Sequence, residues 1–149
     1  MRACVQRVAR AHVEVRGDIV GRIGPGMLVL LAVATGDKTS DVQWMSEKLL
    51  GLRIFGDAEG KMNLSLRETA GEMLVVSQFT LMGDCRKGRR PSFVDAAPPE
   101  EAKQLYLELV RLIKVAGVSV QTGRFRELMH VNLVNNGPVT MLLDSRKLF

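Results

Sequence analysis

An unbroken apolar run, Met27 to Ala34, entered through Gly24-Pro25-Gly26, constrains this chain more than any other feature. Eight consecutive residues without a polar interruption read as a strand covered on both faces, at the centre of a core. The run is far shorter than the ~20 residues of a bilayer-spanning helix. The opening Met1 to Arg7 alternates polar and apolar residues instead of forming a signal core. No membrane partner is expected, and the expected compartment is the cytoplasm. With 149 residues, 46% of them hydrophobic, the chain has the size of one domain, residues 1–149, with enough apolar material for a core.

Around that centre, Arg2 to Val8 and His12 to Arg16 alternate as strands, and Gly17-Asp18 marks a hairpin turn into Ile19 to Ile23. Thr39-Ser40-Asp41 supplies a helix start. Val42, Met45, Leu49 and Leu52 follow at helical spacing, with Gly51 near the end. Leu52 to Phe55 and Met73 to Leu81 read as strands. Pro98-Pro99 with Glu100 and Glu101 opens a second helix, striped by Leu105, Leu109, Leu112 and Ile113 and closed by Gly117. Val118 to Thr122, Leu128 to Val134 and Val139 to Leu143 are strands again, the last two separated by Asn135-Asn136-Gly137-Pro138. Many strands and two main helices without regular alternation predict an α+β domain.

The inventory of chemistry is short. Cys4 and Cys85 are the only cysteines and form no metal-ligand spacing, so free thiols and no metal or other cofactor are expected. His12 and His130, the only histidines, fall in strands, where a structural role is expected, and no nucleophile or nucleotide-loop motif is present. Three features stand out. Ser77, Gln78 and Thr80 interrupt the end of an apolar strand, where polar groups are either paired, functional or facing water. Arg86, Lys87, Arg89 and Arg90 place four positive charges in five residues, in a chain of net charge +5; the segment is either a solvated loop or a phosphate-contacting one. Asn135 to Thr140 alone reads as a turn.

In combination, Gln6-Arg7-Val8, Ser77-Gln78-Phe79-Thr80-Leu81, Arg86-Lys87-Gly88 with Arg90-Pro91-Ser92-Phe93, Thr122-Gly123-Arg124-Phe125 and Asn135 to Thr140 closely resemble the D-aminoacyl-tRNA deacylases along essentially the whole chain. The resemblance implies a barrel-like domain of mixed, mostly antiparallel sheet. It implies a homodimer with active sites at the dimer interface, and hydrolysis of the ester joining a D-amino acid to tRNA. It also implies that Ser77, Gln78, Phe79 and Thr80 line the catalytic pocket. It implies further that a cis Gly137-Pro138 unit, oriented by Arg7, reaches into the neighbouring subunit's pocket and that Met129 packs near the terminal adenosine. Aminoacyl-tRNA is then the partner, and the Arg86, Lys87, Arg89 and Arg90 loop becomes a candidate for tRNA phosphates.

An enzyme that accepts many D-amino acids has to discriminate at the α-carbon, where rigid backbone can reject an L-residue by clash. Glycine, with no β-carbon, passes the same filter. Thr80 has no evident base, so assistance from the ribose 2′-hydroxyl and backbone N–H groups near Phe79 and Thr80 is the expected route. Two other readings remain open on sequence: a noncatalytic RNA-binding or assembly domain, and a general esterase with a Thr80 nucleophile.

Overall fold

The computed structural model describes all 149 residues, Met1 to Phe149. Strand β1 (Arg2–Val15) is the spine. Along one edge it pairs antiparallel with β3 (Gly26–Ala32) and then with β2 (Asp18–Ile23); along the other it pairs with β8 (His130–Asp144). Beyond β3 the sheet continues in parallel through β6 (Glu72–Ser77) to β7 (Val120–Thr122). Each parallel step requires a crossover. Helix α1 (Thr39–Gly51), with the small hairpin β4 (Phe55–Gly56) and β5 (Met62–Leu64), makes the first. Helix α2 (Pro99–Val115) makes the second. Gly21 closes the sheet on itself: a β-carbon there would stand 2.4 Å from the Thr122 carbonyl oxygen. Only glycine lets β2 approach β7 so nearly, and the mixed sheet becomes almost a barrel.

The run at the centre behaves as its composition predicts. Met27, Val29 and Leu31 pack toward the helices with Val42, Met45, Leu49, Leu109 and Ile113. Leu28 turns to the barrel interior with Val8, Ala11, Val13, Leu74 and Val76. Period-two alternation thus feeds two cores from one strand. Lys38 N–H donates to the Asp41 carboxylate at 2.9 Å, so the cap of α1 is Lys38, one residue before the expected Thr39-Ser40-Asp41.

Four sequence expectations are corrected. The two predicted amino-terminal strands are one continuous β1, whose pairing with β8 shifts between Gln6 and Val8 and again between Val8 and Arg10. Those irregularities carry β1 from the helix-facing core at Ala3 and Val5 to the barrel interior at Val8 and Ala11, and leave Arg7 out of both. The two carboxy-terminal strands are likewise one, β8, with Asn135 to Pro138 inside it. The strand predicted to reach Leu81 stops at Ser77, because Gln78 (φ −142°, ψ 74°) turns the chain into a 3₁₀ helix, Phe79–Met82. Of the strand predicted over Leu52 to Phe55, only Phe55 pairs, extending to Gly56. No helix is long and apolar enough to cross a membrane.

Candidate active site

Strands β3, β6 and β7 run parallel, and their carboxyl ends, where the crossovers diverge, are where a sheet of this kind opens a crevice. There a cavity of about 600 Å³ is walled by Leu31 to Val33, by Val76 to Thr80, by the start of α2 and by Phe125 to Met129. Gln78 N–H donates to the Leu31 carbonyl at 2.7 Å and ends the ladder. The following 3₁₀ helix leaves the N–H groups of Phe79 and Thr80 without intrahelical partners. Ser77, Gln78, Phe79, Thr80 and Met129 are therefore brought together in one wall system.

The polar chemistry of the cavity is specific. The Gln78 side-chain amide donates to the Thr80 hydroxyl. An amide at that position supplies a proton to the oxygen rather than removing one. Among the lining residues only Tyr106, Arg126 and Glu127 are ionisable. Tyr106 donates its hydroxyl to the Val75 carbonyl at 2.9 Å, and burial pushes its phenol well above the usual range. The Sδ of Met129 accepts the Arg124 N–H at 3.3 Å, fixing the turn that carries it. Neither histidine lines the cavity: His12 bonds Glu14 at 2.8 Å, and His130 is exposed at the start of β8. Both cysteines are free.

Gly137 and Pro138 form a second constellation outside that cavity. On β8, Thr140 faces Gln6 and Asn135 faces Val8, so Asn136 to Val139 bulge opposite Arg7 alone. Arg7 fills the gap: its Nε donates to the Asn136 carbonyl at 2.9 Å and an Nη to the Ile54 carbonyl at 2.5 Å. Asn135 clamps the turn from within, accepting the Val139 N–H at 2.9 Å and donating to the Thr140 hydroxyl at 3.2 Å. The Gly137-Pro138 peptide is cis, and both residues are exposed. β1 is the only strand that pairs with β8.

The basic loop stands at the cavity rim. Asp84 and Ser92 exchange backbone hydrogen bonds of 2.8 and 3.0 Å at its base, and Phe93 packs edge-on against Phe79 with ring centroids 5.1 Å apart. Asp84 binds the Arg86 guanidinium at 2.9 and 2.8 Å, and these bonds hold its carboxyl at about 2. Lys87, Arg89 and Arg90 are exposed and outside every ion pair. Sequence reasoning did not assign Tyr106, Phe125 or Leu128 to the site. Phe125 lay within a recognised motif, and Tyr106 sits between Leu105 and Leu109 on the apolar stripe of α2, where it reads as ordinary core.

The family model described as D-Tyr-tRNA(Tyr) deacylase matches residues 4–144. A D-aminoacyl-tRNA deacylase of Syntrophobacter fumaroxidans is 60% identical over 149 residues, the whole of both chains. Another, of Thermotoga petrophila, is 56% identical over the same span. The solved structure of a c-Myc DNA unwinding element binding protein superposes with TM-score 0.92 at 37% identity, covering 97% of this chain and 98% of its own. A probable eukaryotic D-amino acid tRNA deacylase shares the fold at TM-score 0.83 and 22% identity, covering 95% of this chain and 97% of its own. With a match that takes in the cavity wall, the basic loop and the Gly137-Pro138 turn, the chain belongs to the D-Tyr-tRNA(Tyr) deacylase family.

Proposed function

We propose that this protein hydrolyses the ester of D-aminoacyl-tRNA in the cytoplasm, releasing the free D-amino acid and tRNA. The observation that carries this reading is the family match over residues 4–144, which includes the Ser77 to Thr80 wall of the cavity at the carboxyl ends of β3 and β6. Water adds to the ester carbonyl, and the N–H groups of Phe79 and Thr80 hold the developing oxyanion. The ribose 3′-oxygen then leaves with a proton. An aminoacyl ester is reactive enough that positioning and oxyanion stabilisation suffice. The vicinal 2′-hydroxyl orients the water, a role that suits a wall in which the Thr80 hydroxyl already receives a hydrogen bond from Gln78.

Chirality is read by a second copy of the chain. The exposed Gly137-Pro138 turn, held by Arg7 and Asn135, enters the partner's cavity, where its backbone meets the β-carbon of an L-residue and leaves room for a D-residue. The unpaired outer edge of β8 supports this assembly, since a 15-residue edge strand is otherwise an open template for pairing. The Lys87, Arg89 and Arg90 side of the basic loop meets acceptor-stem phosphates.

The test is hydrolysis of matched D-tyrosyl-, L-tyrosyl- and glycyl-tRNA by purified protein, with its oligomeric state measured in parallel. Cleavage of the D-ester and glycyl ester, with the L-ester spared, is expected from a dimer. Cleavage of none of them by folded protein overturns the reading.

A further inference from the structure

Beside the main cavity lies a second hollow of about 470 Å³, lined by Glu14, Arg16, Gly17 and His130, and it shares Arg126, Glu127 and Leu128 with the first. The three shared residues form a ridge with an open hollow on each side. Leu128 at its crest is 87% exposed, an apolar surface with no protein packed on it. Arg16 is held by Glu127 at 3.4 Å. Arg126, also exposed, takes part in no ion pair, so its guanidinium is free to meet an anion at the junction of the two hollows. Both arginines occupy left-handed backbone, φ 53° and 65°, a conformation that non-glycine residues adopt at a cost.

Resting on the deacylase reading, we propose that this second hollow takes the nucleotide immediately 5′ of the terminal adenosine, with Arg126 on the phosphodiester between them and Leu128 against its base. The first cavity, at about 600 Å³, has room for one aminoacyl-nucleoside and little more, so the RNA strand must leave it. Met129, expected beside the adenosine, adjoins the ridge in sequence. Glu14 and Glu127 oppose a run of phosphates, so the hollow suits one nucleotide: a single phosphate at Arg126 and a neutral base beyond it. A base such as cytosine carries an exocyclic amine that a carboxylate accepts.

Two small substrates separate this inference from the reading beneath it: the D-tyrosyl ester of adenosine, and the D-tyrosyl ester of the dinucleotide CpA. The intact protein is expected to favour the dinucleotide in kcat/KM by about tenfold, the contribution of one charge-assisted hydrogen bond. In Arg126→Gln the ratio falls toward one, and in Arg126→Lys it is partly restored. Added salt lowers the wild-type ratio and leaves that of Arg126→Gln unmoved. A wild-type ratio near one, or a ratio that survives Arg126→Gln, overturns the subsite while leaving the deacylase reading standing. Hydrolysis of neither ester, with D-tyrosyl-tRNA also uncleaved, overturns both.

Discussion

Replacing Gly137 by alanine tests the proposed assignment of the chirality filter to this turn. The native φ is +139°, and an added β-carbon would stand 2.7 Å from Val139 Cγ2, 2.8 Å from the Val139 nitrogen and 3.1 Å from an Arg7 Nη. Ordinary carbon contacts begin near ~3.5 Å, so the turn cannot keep its shape. Holding alanine in such backbone costs about 1–3 kcal/mol. The turn instead relaxes away from Arg7, whose charge-assisted bond to the Asn136 carbonyl is worth about 1.5–3 kcal/mol. A displacement worth about 1.4 kcal/mol corresponds to tenfold in an equilibrium constant. The ratio of kcat/KM for D-tyrosyl- over L-tyrosyl-tRNA should therefore fall at least about tenfold. Val139 beside the turn belongs to the helix-facing core, so strain of about 1–3 kcal/mol should lower the thermal midpoint by several degrees while the protein stays folded. Parent-like selectivity in a folded Gly137→Ala protein would refute the assignment of rejection to this turn.

Thr80→Ala should keep measurable deacylation in a single-turnover assay, since its hydroxyl receives a bond from Gln78 and meets no base; loss as complete as ablation of the whole pocket would favour a covalent threonine. A substrate ending in 2′-deoxyadenosine should not be cleaved, whereas a general esterase would largely ignore the change. Neutralising Lys87, Arg89 and Arg90 together should flatten the salt dependence of tRNA binding by roughly 0.7–0.9 log units per log unit of salt for each phosphate they no longer neutralise, and Arg86→Gln alone should change the slope less, because Asp84 already neutralises it. The bonds to Arg86 hold the Asp84 carboxyl at about 2, below its ordinary 3.8. That clasp is fully formed above the ordinary value and is lost only as pH falls through about 2, so the slope should be equal at pH 5 and pH 8.

What the sequence revealed of this fold depended on how local the cause was. The two-faced burial of Met27 to Ala34 and the helical stripes of α1 and α2 are consequences of side-chain period, so they could be read directly. Where one strand ends and another begins is not local. Arg7 and Ala9 break the alternation of β1, and Asn136 to Val139 bulge from β8, yet both strands continue because Arg7 lies opposite that bulge and Ala9 is a single extra residue between two consecutive pairs. The end of β6 is hidden for a related reason: Gln78-Phe79-Thr80-Leu81 carries good strand residues, but the ladder ends at the bond from Gln78 N–H to the Leu31 carbonyl, and the chain then closes on itself through Leu81 N–H to the Gln78 carbonyl at 3.2 Å. Tyr106 and Leu128 gave no chemical signal, the first reading as core and the second as an exposed leucine. Recognition of the motifs supplied the Ser77 to Thr80 wall, which residue types alone left between functional and solvent-facing.

The separation of the two constellations bears on how such a site can be selective without a catalytic side chain. One chain holds the Ser77 to Thr80 wall at the carboxyl ends of β3, β6 and β7. The same chain holds a rigid exposed turn on β8, braced by a guanidinium and an asparagine and outside that cavity. If both lay on one flexible loop, any motion that admitted substrate would also relax the filter. Mounted on a different strand of a nearly closed sheet, the turn is braced by Arg7 and Asn135 rather than by any residue that lines the cavity. On the proposed reading selectivity rests on backbone position, and the chemistry needs only to hold water, carbonyl and ribose in line, a task that calls for no ionisable group beyond the Tyr106, Arg126 and Glu127 that line the cavity.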